Sequence, residues 1–152
     1  MKRFNESVST ESKIVNCAGI VILCKNKILS VQQADLPIRS FGIPSGPIRV
    51  GESELDAALR ELFEETGVAL SKSLFKSGPD QLTIYSADGT VKGTLSYYTL
   101  RVDSLAEIGL NFNSVNLLKI PKLEISWAGF IPINLAYELF QQPQLIILDR
   151  LR

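Results

Sequence analysis

The chain has 152 residues, 45 % of them apolar and 21 % charged, a composition that excludes an intrinsically disordered chain. Its 16 Lys and Arg balance 16 Asp and Glu, so no broad field draws in nucleic acid or an anionic membrane, and neither is expected as a partner. Histidine is absent, which removes histidine triads, histidine metal sites and imidazole bases.

Met1-Lys2-Arg3-Phe4-Asn5-Glu6-Ser7 is polar and lacks the apolar run of a signal peptide, and no stretch is long and apolar enough to span a bilayer. The expectation is a cytoplasmic protein with residues 1–12 as a polar tail and 13–152 as one domain. Ile14 to Cys24 is apolar and β-rich. Lys25-Asn26-Lys27 follows as a tight turn, then Ile28 to Val31, which reads as a hairpin. Seven strand residues separate Cys17 from Cys24 by roughly 23 Å, beyond disulfide reach, so both are expected as small buried hydrophobes. A loop with Pro37 and Arg39 leads to Phe41-Gly42-Ile43-Pro44-Ser45-Gly46, dense in turn formers.

The clearest helix starts at Ser53, a good N-cap with Asp56 three residues on, and stops at Gly67. Leu55, Ala58, Leu59, Leu62, Phe63 and Thr66 recur at the spacing of one buried face. Beyond it, Leu82–Ser86 and Val91–Val102 read as strands joined across Asp88-Gly89, and Ser104 to Lys122 as an irregular loop. Glu124 opens another extended segment, and Ile133–Phe140 and Leu145–Leu151 read as short helices. The mix is α+β, with a three-layer sandwich as the alternative that pattern alone does not separate.

Arg60, Glu61, Glu64 and Glu65 fall opposite the apolar stripe of the helix, which predicts an exposed acidic cluster. A solvated face is the ordinary explanation of a charge run, but two costs oppose it. Like charges at these spacings cost roughly 0.2–0.5 kcal/mol per pair. Glu64 and Glu65 also stand in the last turn, where the helix dipole disfavours anions by roughly 0.3–1 kcal/mol each. Carboxylates placed against these costs point to a bound cation. Hard oxygen ligands suit Mg²⁺, with Mn²⁺ as a substitute.

Gly46-Pro47-Ile48-Arg49-Val50-Gly51-Glu52, seven spacer residues, and Arg60-Glu61-Leu62-Phe63-Glu64-Glu65-Thr66-Gly67-Val68 resemble a complete Nudix box. That motif is G, five residues, E, seven residues, R-E-U-x-E-E-x-G-U, where U is bulky and aliphatic. Seven identities at roughly 6 % each give a chance of order 10⁻⁹ per start, so coincidence is excluded. The resemblance implies a Nudix fold, an α/β/α sandwich with a mixed β-sheet between helices. It also implies a hydrolase that cuts the diphosphate linkage of a nucleoside diphosphate derivative.

Carried over residue by residue, the resemblance implies Glu64 and Glu65 as main metal ligands and Glu61 as a further ligand or the general base. Family members differ on which glutamate is the base. Arg60 orients the glutamates through Glu52, the backbone carbonyl of Ser45 reaches a metal, Gly46 permits a sharp turn, and Gly67 the helix exit. Tyr85, seventeen residues after Val68, is similar to a tyrosine that marks many diadenosine polyphosphate hydrolases, so a dinucleoside polyphosphate is the first substrate expected. ADP-ribose and nucleoside triphosphates follow. Tyr85 would stack on a base, as Tyr97 or Tyr98 could instead. Arg39 and Glu107 are candidate substrate contacts, and Glu124 a further carboxylate. A non-catalytic nucleotide-sensing module is disfavoured because no box glutamate is lost. The isomerase branch, which uses a cysteine, is disfavoured because both cysteines lie in an apolar strand. A homodimer is left open.

Overall fold

A computed structural model describes residues 13–34, 40–111, 113 and 125–151. Among the described residues seven strands form one mixed sheet: β1 (Val15–Cys24), β2 (Lys27–Gln33), β3 (Phe41–Gly42), β4 (Ser45–Pro47), β5 (Asp80–Tyr85), β6 (Val91–Val102) and β7 (Ile125–Pro132). Three described helices cover it: α1 (Glu54–Thr66), α2 (Ile133–Leu139) and α3 (Leu145–Arg150). The expected tail 1–12 lies outside the described residues.

β1 shows why the sheet is covered on both sides. Its side chains alternate, as a pleated strand requires. Ala18, Ile20 and Ile22 enter one core with Ala57, Ala58 and Leu62 of α1. Val21 and Leu23 enter the other with Ala136 and Phe140 around α2, and Ile147 and Leu148 of α3. Both faces are apolar because both are buried, which is how a near-continuous apolar run arises. The result is an α/β/α sandwich, and its mixed character comes from β1, parallel to β6 along its whole length but antiparallel to β2.

The β1–β2 hairpin forms as expected but pairs only beside its turn, at Leu23 with Ile28 and Cys24 with Lys27. Beyond that point the strands separate. β4 pairs with the early part of β1, at Cys17, Ala18 and Gly19. β3 pairs with the late part of β2, at Val31 and Gln32, whose other edge carries β7. Two very short strands thus fill a fork in the sheet. Gly19 is needed there, since a Cβ on it would meet the Pro44 carbonyl and the Ser45 Cβ, each at 2.7 Å.

Ser53 caps α1 by accepting the Asp56 amide at 3.1 Å, and Gly67 ends it at φ 76°, donating to Phe63 O at 2.8 Å. One expectation about the helix fails. Phe63, assigned to the buried face, is 48 % exposed, while Ala57 is fully buried in its stead. The segment after β6 also differs from the irregular loop expected, for Leu105–Ile108 forms a 3₁₀ turn capped by Ser104. No helix among the described residues is long and apolar enough to cross a membrane.

Candidate functional site

The buried surface of α1 is two stripes wide. Ala57, Ala58 and Leu62 join the core under the sheet, and alongside them Glu61 and Glu65 meet β4 at Gly46 and Ser45. Glu61 is 3 % exposed and Glu65 2 %, which corrects the expectation that both stand on the solvent side. Glu64 alone of the three is partly open, its side chain 26 % exposed. Buried carboxylates require partners. Glu65 accepts the Ser45 amide at 3.1 Å, and Glu61 accepts Arg60 Nη1 at 2.9 Å.

Gly46 has a close-approach role instead of the turn role expected of it. Its φ is not positive, but a Cβ would overlap the Glu61 carboxylate. A glycine lets the β4 backbone settle directly on that carboxylate. Ser45 likewise has no positive φ, so a serine is accommodated there without strain.

Arg60 organises the remaining carboxylates. Nε and Nη2 bind Glu52 at 2.6 and 3.0 Å in a two-point grip, Nη1 reaches Glu61 and Glu64 at 2.9 and 3.3 Å, and Nη2 also donates to the Pro47 carbonyl at 3.0 Å. Those five bonds occupy every N–H of the guanidinium. The Arg60 hydrogen bonds hold Glu52 down to about 2 from an ordinary 4.5. Reciprocally Glu52, and then Glu61, raise Arg60 above its ordinary value. The Arg49 amide donates to Glu52 at 3.0 Å, fixing the loop before the helix, and the Arg49 guanidinium lies 3.6 Å from Glu64.

The fork in the sheet opens beside this cluster as a cleft of about 380 Å³. Ser45, Gly46 and Glu65 line one side, and Gln33, Ile125, Gln141 and Gln144 another. Gln144 is anchored there by accepting the Ile43 amide at 2.8 Å. Sequence reasoning missed these glutamines, for a single polar residue at a strand end or beside a short helix carries no motif. Cys17 also lines the cleft and is half-buried, so it is not the inert core residue expected; neither cysteine is in a disulfide.

Other candidates fall elsewhere. Tyr85 is 60 % exposed at the end of β5 and does not line the cleft. Tyr97 and Tyr98 are buried on opposite faces of the sheet, Tyr98 against Phe75, so neither offers a free ring. The Glu107 carboxylate accepts the Asp103 and Ser104 amides at 2.8 and 3.0 Å, closing the cap of the 3₁₀ turn. Arg39 and Glu124 lie outside the described residues.

The family model for the NUDIX domain matches residues 14–112. The chain belongs to the Nudix family. Its Nudix box is the Gly46–Val68 segment just described. Over 69 residues it is 38 % identical to an RNA pyrophosphohydrolase of Cereibacter sphaeroides, which is 44 % of this chain and 43 % of that protein. The match thus spans less than half the relative's length. Among solved structures, it is similar to a bifunctional NMN adenylyltransferase/ADP ribose pyrophosphatase from Francisella tularensis, complexed with AMP and a Mn ion. There the TM-score is 0.72 at 16 % identity, over 96 % of this chain and 44 % of that one. It also resembles the NUDIX domain of Shewanella oneidensis NrtR complexed with ADP ribose, with a TM-score of 0.66 at 17 % identity over 98 % and 97 % of the two chains. At these identities the structural likeness establishes the Nudix fold.

Proposed function

We propose that this chain is a divalent-metal-dependent pyrophosphohydrolase that cleaves a phosphoanhydride next to a nucleoside 5′-phosphate. The observation that carries the reading is the pair of buried carboxylates, Glu61 and Glu65, set against the Ser45–Gly46 backbone at the edge of the cleft. Burying two anions beside a third is unfavourable for a purely structural helix, and Arg60 offsets only part of it.

The donor set fits a hard cation. The carboxylates of Glu61, Glu64 and Glu65 with the Ser45 carbonyl offer the oxygen ligands that Mg²⁺ or Mn²⁺ takes. Among the described residues no three acids already stand close enough together to hold an ion, and Arg60 bonds both Glu61 and Glu64. When bound, such an ion lowers the pKa of a water and neutralises phosphate charge. Arg60 orients Glu52, Glu61 and Glu64 together. Glu61 or Glu64 accepts the proton of the attacking water, and Gly46 leaves room for the Glu61 carboxylate beside the strand.

A cleft of about 380 Å³ suits one nucleotide unit and leaves whatever follows the phosphates outside. The substrate is therefore a nucleoside 5′-polyphosphate whose distal group is loosely read. The dinucleoside polyphosphate suggested by Tyr85 meets that description. So does the 5′ end of an RNA, brought in by the curated relative's name and not by the chain's neutral charge. A product-mass screen with Mg²⁺ and Mn²⁺ tests the reading. Its panel is dinucleoside polyphosphates, ADP-ribose, nucleoside triphosphates and a 5′-triphosphorylated oligonucleotide. Metal-dependent release of a nucleoside monophosphate or of pyrophosphate supports it. Binding without cleavage of any of them overturns it in favour of a sensor module.

A further inference from the structure

We infer that Arg49 is a phosphate-binding residue that leaves Glu64 for the polyphosphate of the substrate when the site is loaded. The inference rests on the hydrolase reading for the identity of that substrate. Its support is the contrast between the two arginines on Glu64. Arg60 approaches Oε1 at 3.3 Å with a side chain 17 % exposed and no N–H to spare. Arg49 approaches Oε2 at 3.6 Å with a side chain 66 % exposed, an ion pair too long for a hydrogen bond.

The backbone of Arg49 is nevertheless fixed. Its amide donates to Glu52 at 3.0 Å, and its carbonyl accepts the Glu52 amide at 3.0 Å, so the residue is bolted to the carboxylate that Arg60 grips. A root held in place and a head open to solvent place a guanidinium in front of the cluster without committing its donors. Guanidinium matches phosphate oxygens in a two-point geometry. A cation bound by Glu64 would also repel Arg49, so loading the metal and recruiting the phosphate act in the same direction.

Two effects of opposite sign follow. In Arg49→Ala, Mn²⁺ alone binds more tightly, by about two- to fivefold, because a competing cation at a partly exposed carboxylate is gone. Inorganic pyrophosphate in the presence of Mn²⁺ binds about five- to tenfold more weakly, because a charge-assisted hydrogen bond is removed. Calorimetric titration of the full chain measures both, with a urea midpoint to verify folding. Arg49→Lys keeps the charge and falls between, and serves if the alanine variant does not fold. Unchanged pyrophosphate affinity overturns the inference, and so does weakening of Mn²⁺ and pyrophosphate alike, which marks a loop-holding role. Neither titration needs turnover. Both effects in Arg49→Ala, together with a wild type that cleaves nothing in the screen, defeat the hydrolase reading and leave Arg49 as a phosphate contact.

Discussion

Arg60 and Glu52 form the tightest pair of the site, Nε to Oε2 at 2.6 Å and Nη2 to Oε1 at 3.0 Å across eight residues of sequence. The pair ties the loop before α1 to the middle of the helix. Glu52 has its folded value depressed to about 2 from 4.5, so its stabilising contribution is complete above 4.5 and is lost as pH falls towards 2. Glu52→Gln should destabilise by about 1.5–3 kcal/mol near neutral pH, the range for a hydrogen bond to a charged group. The deficit should shrink as pH falls from 4.5 to 2. Urea midpoints of both proteins at a series of pH values check this. A gap that stays constant across that window would show that the carboxylate is not the titrating partner.

Gly46 and Gly51 make a paired test of what a glycine does. Gly46 is held by space, since a Cβ would overlap the Glu61 carboxylate, and Gly51 by conformation, with φ 83° and nothing within 4 Å of its Cβ position. Gly46→Ala should displace Glu61, lower kcat at least about tenfold and cost about 1–3 kcal/mol through overpacking. Gly51→Ala should cost about 1 kcal/mol through its left-handed backbone and leave kcat within about twofold. Equal kcat in the two variants would remove the close-approach argument.

Glu64 is the open carboxylate of the cluster, so its loss should separate function from folding. Glu64→Gln is expected to lower kcat by about 10²-fold or more, while its stability shifts by less than about 1 kcal/mol. Relief of carboxylate repulsion and removal of the two arginine ion pairs offset one another. A chelator should stop the wild type and Mn²⁺ or Mg²⁺ restore it. Activity retained in a folded Glu64→Gln protein would detach Glu64 from the chemistry.

The parts of this site that were legible in advance are local. The Ser53 cap and the Gly67 exit follow from local spacing, and the Gly46–Val68 box from its resemblance to a contiguous family motif. The burial of Glu61 and Glu65 was not legible, because it depends on β4, three residues with no periodicity of their own, settling across the helix. The same holds for the β1–β2 hairpin. Its apolar pattern announces pairing, yet not that pairing stops after two residues and that the fork becomes the cleft. Phe63 leaves the buried stripe that apolar spacing predicts because the inner face of the helix also includes two acids, Glu61 and Glu65.

Gln144 shows how far the cleft draws on distant chain. Its Oε1 accepts the Ile43 amide at 2.8 Å across 101 residues, and it packs so closely on Gly42 that a Cβ there would meet it at 2.7 Å. Ile43 is 2 % exposed, so Gln144→Ala leaves a buried amide unsatisfied, at about 1–3 kcal/mol, and loosens one wall of the cleft. If the cleft holds the nucleotide as proposed, KM should rise several-fold with kcat changed less, since this wall does not touch the carboxylate cluster. Gln144→Glu keeps the acceptor and should retain most of the stability, yet it adds an anion facing a polyanionic substrate, so its KM should rise at least as much. Urea midpoints and the KM–kcat split of both variants decide the matter. If Gln144→Glu loses as much stability as Gln144→Ala, the hydrogen bond to Ile43 is not what holds the wall. If neither KM moves, the cleft is not where the nucleotide sits.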